Sequence, residues 1–259
     1  MLASVTVTMG IARITLNRPD RGNALDVPTA RALRDAIAGV ASRDDVRVAL
    51  LSGEGERFCV GGDVVAFAAH DHDRAAYVSD VVDALHEAVV ALTELPVPTV
   101  AAVRGSAAGA GLGIAACCDV VVASRSAQFV FAYSRLGFTP DGGASWTLPR
   151  RIGLRAALEM AFLGRALAAD EAARLGLVTR VVADETFERE VDGLVSRLAS
   201  GPTEALIATR TLMRGADQTD LPAQLDAEKA RLVAAVDSPQ GREGVAAFLE
   251  RRDPSFSTY

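Results

Sequence analysis

The chain has 259 residues, half of them hydrophobic, with 27 basic and 33 acidic side chains and a net charge of −6. A chain of this length and apolarity buries a large core, which excludes disorder as its main state. The acidic balance excludes a broad basic face for phosphate backbones, so no nucleic-acid partner is expected. The longest apolar, charge-free run, residues 105–118, is short and glycine-rich where a bilayer needs about 20 apolar residues, so no membrane partner is expected either.

The N-terminal stretch alternates like a strand and carries no basic region ahead of an apolar signal core, which makes the cytoplasm the expected location. Cys59, Cys117 and Cys118 cannot assemble a disulfide framework or a zinc site and read as reduced, buried residues. Lys229 is the only lysine, so any phosphate contact must use arginine.

In chain order, residues 5–16 alternate with period two and stop at the turn cluster Asn17-Arg18-Pro19-Asp20, which predicts a strand pair. Asp26 then caps a helix reaching about Val40, with Pro28 in its first turn. Residues 46–51 form a short apolar strand. A polar stretch, 70–80, reads as a variable loop before a helix ending near Glu94; strand 99–103, a Gly-rich turn, a small-residue helix 109–118 and strand 120–123 follow. Alternating strands and helices predict an α/β core. Residues 169–176 read as a short helix, 177–182 as a strand, and the remainder as helices over 185–200, 203–214, 221–236 and 239–250. A boundary near 195 separates a core, 1–195, from a helical segment, 196–259, whose apolar faces need a partner.

Two glycine-rich turns could carry chemistry: Phe58-Cys59-Val60-Gly61-Gly62-Asp63 and the stretch 105–113, GSAAGAGLG. Small residues let a ligand approach the backbone and leave N–H groups free for an anion. A dinucleotide loop at Gly109-Ala110-Gly111 would need an acidic residue about 20 positions on, and 120–140 contains none. Taken singly, each turn reads first as a tight connection that allows close helix packing.

Together the turns resemble the crotonase (enoyl-CoA hydratase/isomerase) superfamily. Asn17-Arg18-Pro19, Gly22-Asn23-Ala24-Leu25, the 58–63 turn, residues 105–119, Gln128-Phe129, ADEAARLGLVTRVV at 169–182 and the tail 247–256 are similar to family motifs in family order. The resemblance implies an α/β fold of the ClpP/crotonase type, a spiral of ββα units with a C-terminal helical trimerisation region. It implies an acyl-CoA thioester as partner, a homotrimer or dimer of trimers, and no separate cofactor, coenzyme A being part of the substrate. It also implies an oxyanion hole made by the backbone N–H groups of Gly62 and Ala110. Such fixed donors stabilise the enolate oxygen that forms when a proton leaves the carbon beside a thioester, and one donor is worth about 10²–10³ in rate.

The two glutamates of the family's hydratases fall here on Gly113 and Tyr133. Glycine cannot move a proton and tyrosine, with an ordinary pKa near 10, is a poor base at neutrality. One carboxylate remains in a suitable segment, Asp141 in Gly137-Phe138-Thr139-Pro140-Asp141-Gly142-Gly143, with Phe131, Phe138, Trp146 and Leu148 as apolar surroundings. Taken without the family, Asp141 is equally the cap of a helix beginning near Gly143. The stretch resembles the segment in which Δ3,Δ2-enoyl-CoA isomerases and ring-1,2-epoxyphenylacetyl-CoA isomerases carry their single acid, so Asp141 is the expected acid/base of a double-bond shift.

Softer expectations place Ala24 and Leu25 near the adenine, Arg21 on phosphate, and Gly62, Asp63, Val64 and Val65 along the pantetheine. Tyr133 is expected to line the acyl pocket, with donation of a hydrogen bond as its alternative, and Asp63 to fix its turn by bonding backbone N–H groups. The run His70-Asp71-His72-Asp73 reads as a solvated loop with no metal, and His86 as a structural helix residue. Other chemistry on the same scaffold stays open: hydration, ring-epoxide isomerisation, thioester hydrolysis, dehalogenation, or acyl-CoA binding without catalysis.

Overall fold

A computed structural model describes residues 1–256, so the last three positions of the expected C-terminal segment lie outside the described residues. Strands β1 (Ala3–Thr8) and β2 (Ile11–Leu16) pair as a hairpin around Met9-Gly10, both at positive φ, which matches the twist of the flanking strands. Helix α1 (Val27–Ala41) starts where the Asp26 carboxylate accepts the Thr29 N–H at 2.8 Å. There follow β3 (Val48–Gly53), α2 (Val64–Ala69), α3 (Arg74–Glu94), β4 (Thr99–Val103), β5 (Ser106–Ala108) and α4 (Ala110–Cys117). Next come β6 (Val120–Ser124), β7 (Gln128–Val130), α5 (Ala144–Ile152), α6 (Leu154–Leu163), β8 (Ala166–Ala168), α7 (Ala169–Leu175) and β9 (Arg180–Val182). Helices α8 (Phe187–Ala199), α9 (Thr203–Gly215), α10 (Leu221–Asp237) and α11 (Pro239–Glu250) follow.

The large sheet runs β1-β2-β3-β4-β6-β9, its first pair antiparallel and the rest parallel. A smaller layer, β5-β7-β8, is extended by single bridges from Cys59 to Ala107 and from Leu25 to Gly62. Successive passes of the chain thus supply a strand to the large sheet, a short extended stretch to the small layer, and a helix: the spiral that the motifs imply. Along β3, Ala49 and Leu51 face the main core with Leu33, Ile37 and Leu85, while Val48 and Leu50 face the other side under Phe187, Val191 and Val195 of α8. Burial on both faces explains why these strands read as unbroken apolar runs.

The expected boundary at 195 falls inside α8. Val195 and Ala199 both belong to the second core, so that core extends to the end of α8. Helix α9 is held by Asp119, whose carboxylate takes Arg210 at 3.1 Å, Arg214 at 2.7 Å and the Thr99 N–H at 2.9 Å. Both arginines also reach backbone carbonyls, Arg210 those of Leu95 and Val97 and Arg214 those of Thr93 and Cys117. Replacing Asp119 with alanine leaves two half-buried guanidiniums without their anion, and is expected to cost about 3 kcal/mol of stability, read by chemical denaturation.

Beyond α9 the apolar surface lies open. Leu221, Leu225, Leu232, Val233 and Val236 of α10 and Val245, Phe248 and Leu249 of α11 are all exposed. No helix among the described residues is long and apolar enough to cross a membrane.

Candidate active site

The two glycine-rich turns meet. A β-carbon at Gly61 would stand 2.9 Å from the Ala108 carbonyl oxygen and 3.2 Å from the Ala110 nitrogen, so only glycine lets the loops approach, and its φ of +93° calls for glycine as well. Gly109 takes an unusual conformation (φ +51°, ψ −124°), and Ala110 after it opens α4 in ordinary helical geometry. Its N–H therefore belongs to the unpaired first turn of a helix. Around Gly62 the backbone bonds are made by its neighbours: Leu25 N–H donates to Gly61 O at 2.8 Å and Asp63 N–H to Leu25 O at 2.9 Å. Gly62 and Ala110 both line one cavity of about 780 Å³.

Asp141 lines the same cavity, and among the described residues that do so it is the one carboxylate. The alternative role as a helix cap is not what its side chain does. Gly143 occupies the cap position of α5, and Asp141 Oδ1 instead accepts the Tyr133 hydroxyl at 2.5 Å. Burial pushes the Asp141 carboxyl above the usual carboxylate range, opposed by the Tyr133 hydrogen bond and by the charge of His86. Burial likewise holds the Tyr133 phenol far above its ordinary value, so tyrosine stays a donor and Asp141 is the group that titrates.

Tyr133 thus does more than line the pocket. Its ring packs edge-on against buried Phe131 at 5.0 Å, which holds the hydroxyl on Asp141. Substituting phenylalanine for Tyr133 removes the contact that keeps the carboxyl ionised, so the acidic limb of the kcat/KM profile is expected to move to higher pH. Loss of orientation should also lower kcat by about 10–100-fold, both read from a pH-rate series.

At the position of the missing second glutamate there is no room. A β-carbon at Gly113 would lie 2.5 Å from the Gly142 carbonyl oxygen and 3.1 Å from its carbon. The turn that presents Asp141 occupies the space that a longer residue at 113 would need.

A family model described as enoyl-CoA hydratase/isomerase matches residues 6–258. The chain belongs to the enoyl-CoA hydratase/isomerase family. It is 38% identical over 97% of its length to 96% of a Rhodobacter capsulatus protein named "Probable enoyl-CoA hydratase". It is 37% identical, with the same coverage of both chains, to the 1,2-epoxyphenylacetyl-CoA isomerase of Escherichia coli K12. The crystal structure of an enoyl-CoA hydratase from Polaromonas sp. JS666 superposes with a TM-score of 0.92 at 32% identity, covering 98% of both chains. The enoyl-CoA hydratase/isomerase relatives carry hydratase and isomerase names alike, so the reaction has to be argued from the residues.

Several expectations for this family member change on contact with the structure. Leu25 is fully buried and both its backbone groups are used by Gly61 and Asp63, so it frames the turn and offers no surface to an adenine. Asp63 is buried and caps α2 by accepting the Ala66 N–H at 3.0 Å, as its turn-fixing role requires. Val64 lines the cavity and Val65 is exposed. Trp146 is no wall of the pocket: it is exposed, with the Arg150 guanidinium 4.3 Å above its ring. Arg21 shares a surface depression with Arg57, a second arginine that the motif reading passed over.

The polar run before α3 is ordered by its own pairs. His70 stacks on Tyr77 at 3.8 Å and meets Asp73, while Asp71 binds Arg74 at 2.6 Å. His86, expected to be a structural helix residue, lies at the site, as does Arg74. His86 lines the cavity with Ala75, Val78 and Val82, one helical stripe of α3, and that spacing was readable in the sequence. Cys59, beside the first turn, is buried with its thiol pushed up to about 12, which leaves it inert.

Proposed function

We propose that this protein is an acyl-CoA isomerase that moves a carbon–carbon double bond from the 3-position to the 2-position of an enoyl thioester. The observation that carries the reading is a cavity lined by Gly62, Ala110 and one carboxylate, Asp141, together with the crowding that denies Gly113 even a β-carbon. Hydration by the family's two-glutamate route needs two carboxyl groups on one water. A double-bond shift needs one.

In the proposed sequence the Asp141 carboxylate removes a proton from C2. The C–H electrons pass into the thioester, and negative charge collects on its oxygen, between the Gly62 and Ala110 N–H groups. The extended enolate then takes the same proton from Asp141 at C4, and the carboxylate is regenerated. Tyr133 holds Oδ1 throughout, which leaves Oδ2 as the oxygen that carries the proton. Phe67, Val78, Val82 and Phe138 give the acyl chain apolar walls, and coenzyme A enters as part of the substrate. Arg21 and Arg57 are the candidate partners of its phosphates, and Ala24 is the neighbouring backbone. The exposed apolar stripes of α10 and α11 support self-association, as a trimer or a dimer of trimers.

Mass analysis of the product separates this reading from hydration. Isomerisation leaves the mass of a 3-enoyl-CoA unchanged while its spectrum becomes that of a conjugated thioester; a product heavier by one water contradicts it.

A further inference from the structure

Arg18 touches no part of the cavity, yet one of its nitrogens ties together every segment that flanks the first amide donor. Nη1 lies 2.9 Å from Asp63 Oδ2, 3.1 Å from Asp26 Oδ2 and 3.1 Å from the Ala24 carbonyl oxygen. Asp63 caps α2 and Asp26 caps α1, so a single guanidinium joins the starts of both helices. The same stretch is fixed from behind by Asn23, whose Oδ1 accepts the Arg18 N–H at 2.8 Å and whose amide nitrogen donates to Arg57 O at 2.7 Å.

Peptide geometry carries that restraint to the Gly62 amide. The Gly61 carbonyl and the Gly62 N–H belong to one planar trans unit and point in opposite directions. Leu25 N–H holds the Gly61 oxygen at 2.8 Å on one side, so the Gly62 N–H is aimed to the other. Where Ala24 and Leu25 sit therefore decides where that donor points, and Arg18 decides where Ala24 and Leu25 sit relative to Asp63.

We propose that Arg18 is a positioning residue that couples the nucleotide end of a bound CoA thioester, held beside Arg21 and Arg57, to the direction of the Gly62 amide; this rests on the oxyanion reading above. Without the guanidinium, the buried Asp63 carboxylate and the part-buried Asp26 carboxylate are left beside each other with no cation between them, and they repel. The turn relaxes, and an amide displaced by about 1 Å loses much of its value, about 10²-fold.

The test compares phenylacetyl-CoA with phenylacetyl-N-acetylcysteamine, which lacks the nucleotide, by following exchange of their C2 protons in deuterium oxide by NMR. Exchange reports enolate formation whether or not a double bond moves. In the parent protein, binding energy from the remote nucleotide should make bound phenylacetyl-CoA exchange faster than the bound truncated thioester. In Arg18→Met the ratio of the two saturating rates should collapse toward one, with Arg18→Lys regaining part of it. Equal slowing of both thioesters, or no slowing, overturns the coupling. Absence of exchange in the parent with phenylacetyl-CoA bound overturns the oxyanion reading itself. Should Arg18→Met fail to fold by circular dichroism, Arg18→Met with Asp26→Ser keeps a cap on α1 and removes one of the two carboxylates, and the same ratio decides.

Discussion

Replacing Asp141 with asparagine is expected to lower turnover by about 10²–10⁴-fold while thioester binding and the fold persist. The amide keeps an oxygen that accepts the Tyr133 hydroxyl, so the 137–143 segment has no reason to move; what disappears is the basic oxygen. The same variant should be more heat-stable at neutral pH. Burial raises the Asp141 carboxyl in the folded protein above its unfolded value, so between those two values the folded state binds more protons than the unfolded one. Stability then falls as pH rises through that window and stays lowered above it. Asparagine escapes the loss. Its melting temperature should exceed the parent's at about pH 8, and the gap should close as the pH falls toward about 3, below the ordinary aspartate value, where both states of the parent are largely protonated. A parent that melts higher than the variant at about pH 8 would show that the ionised carboxylate stabilises the fold.

Putting glutamate at Gly113, where the resemblance places a hydratase acid, is expected to damage the protein and confer no hydration. The first added carbon would stand 2.5 Å from the Gly142 carbonyl oxygen and 3.1 Å from its carbon, with the Ala144 nitrogen at 3.4 Å. These are backbone atoms in a turn whose glycines, Gly142 and Gly143, are both at positive φ, and they cannot swing aside as a side chain could. Overpacking of this kind costs about 3 kcal/mol. Displacement of the turn also carries Asp141 away from the amides, for a loss of about 10²-fold in isomerisation. Denaturation midpoints and the consumption of a 2-enoyl-CoA read both effects; a stable Gly113→Glu protein that hydrates would refute the claim that the Asp141 turn has taken the place of the second acid.

The sequence carried the large elements because their signals are long. β3, β4 and β6 are unbroken apolar runs, α1 has a cap and a repeating apolar face, and the two glycine turns stand out in composition. The small layer escaped notice because β5, β7 and β8 have three residues each, too few for alternation to register, and their pairing is set by the spiral and not by local preference. Helix α2 was hidden by its position directly after a turn, and the polar run 70–73 looked like loop although its charges pair with α3. Asp141 was visible as the lone carboxylate of its segment; that it binds Tyr133 and does not cap α5 depends on an eight-residue excursion whose course no periodicity describes. His86 and Arg57 lay in plain view but needed neighbours from other elements to acquire meaning.

The most direct test is the absorbance of the conjugated thioester when a 3-enoyl-CoA is mixed with the parent protein and with Asp141→Asn, beside a 2-enoyl-CoA control for hydration. A single-carboxylate isomerase predicts conjugation by the parent, loss of it in the variant with binding retained, and negligible consumption of the 2-enoyl-CoA. Conjugation that survives in Asp141→Asn, or a parent that binds the thioester and only hydrates the control, would contradict it.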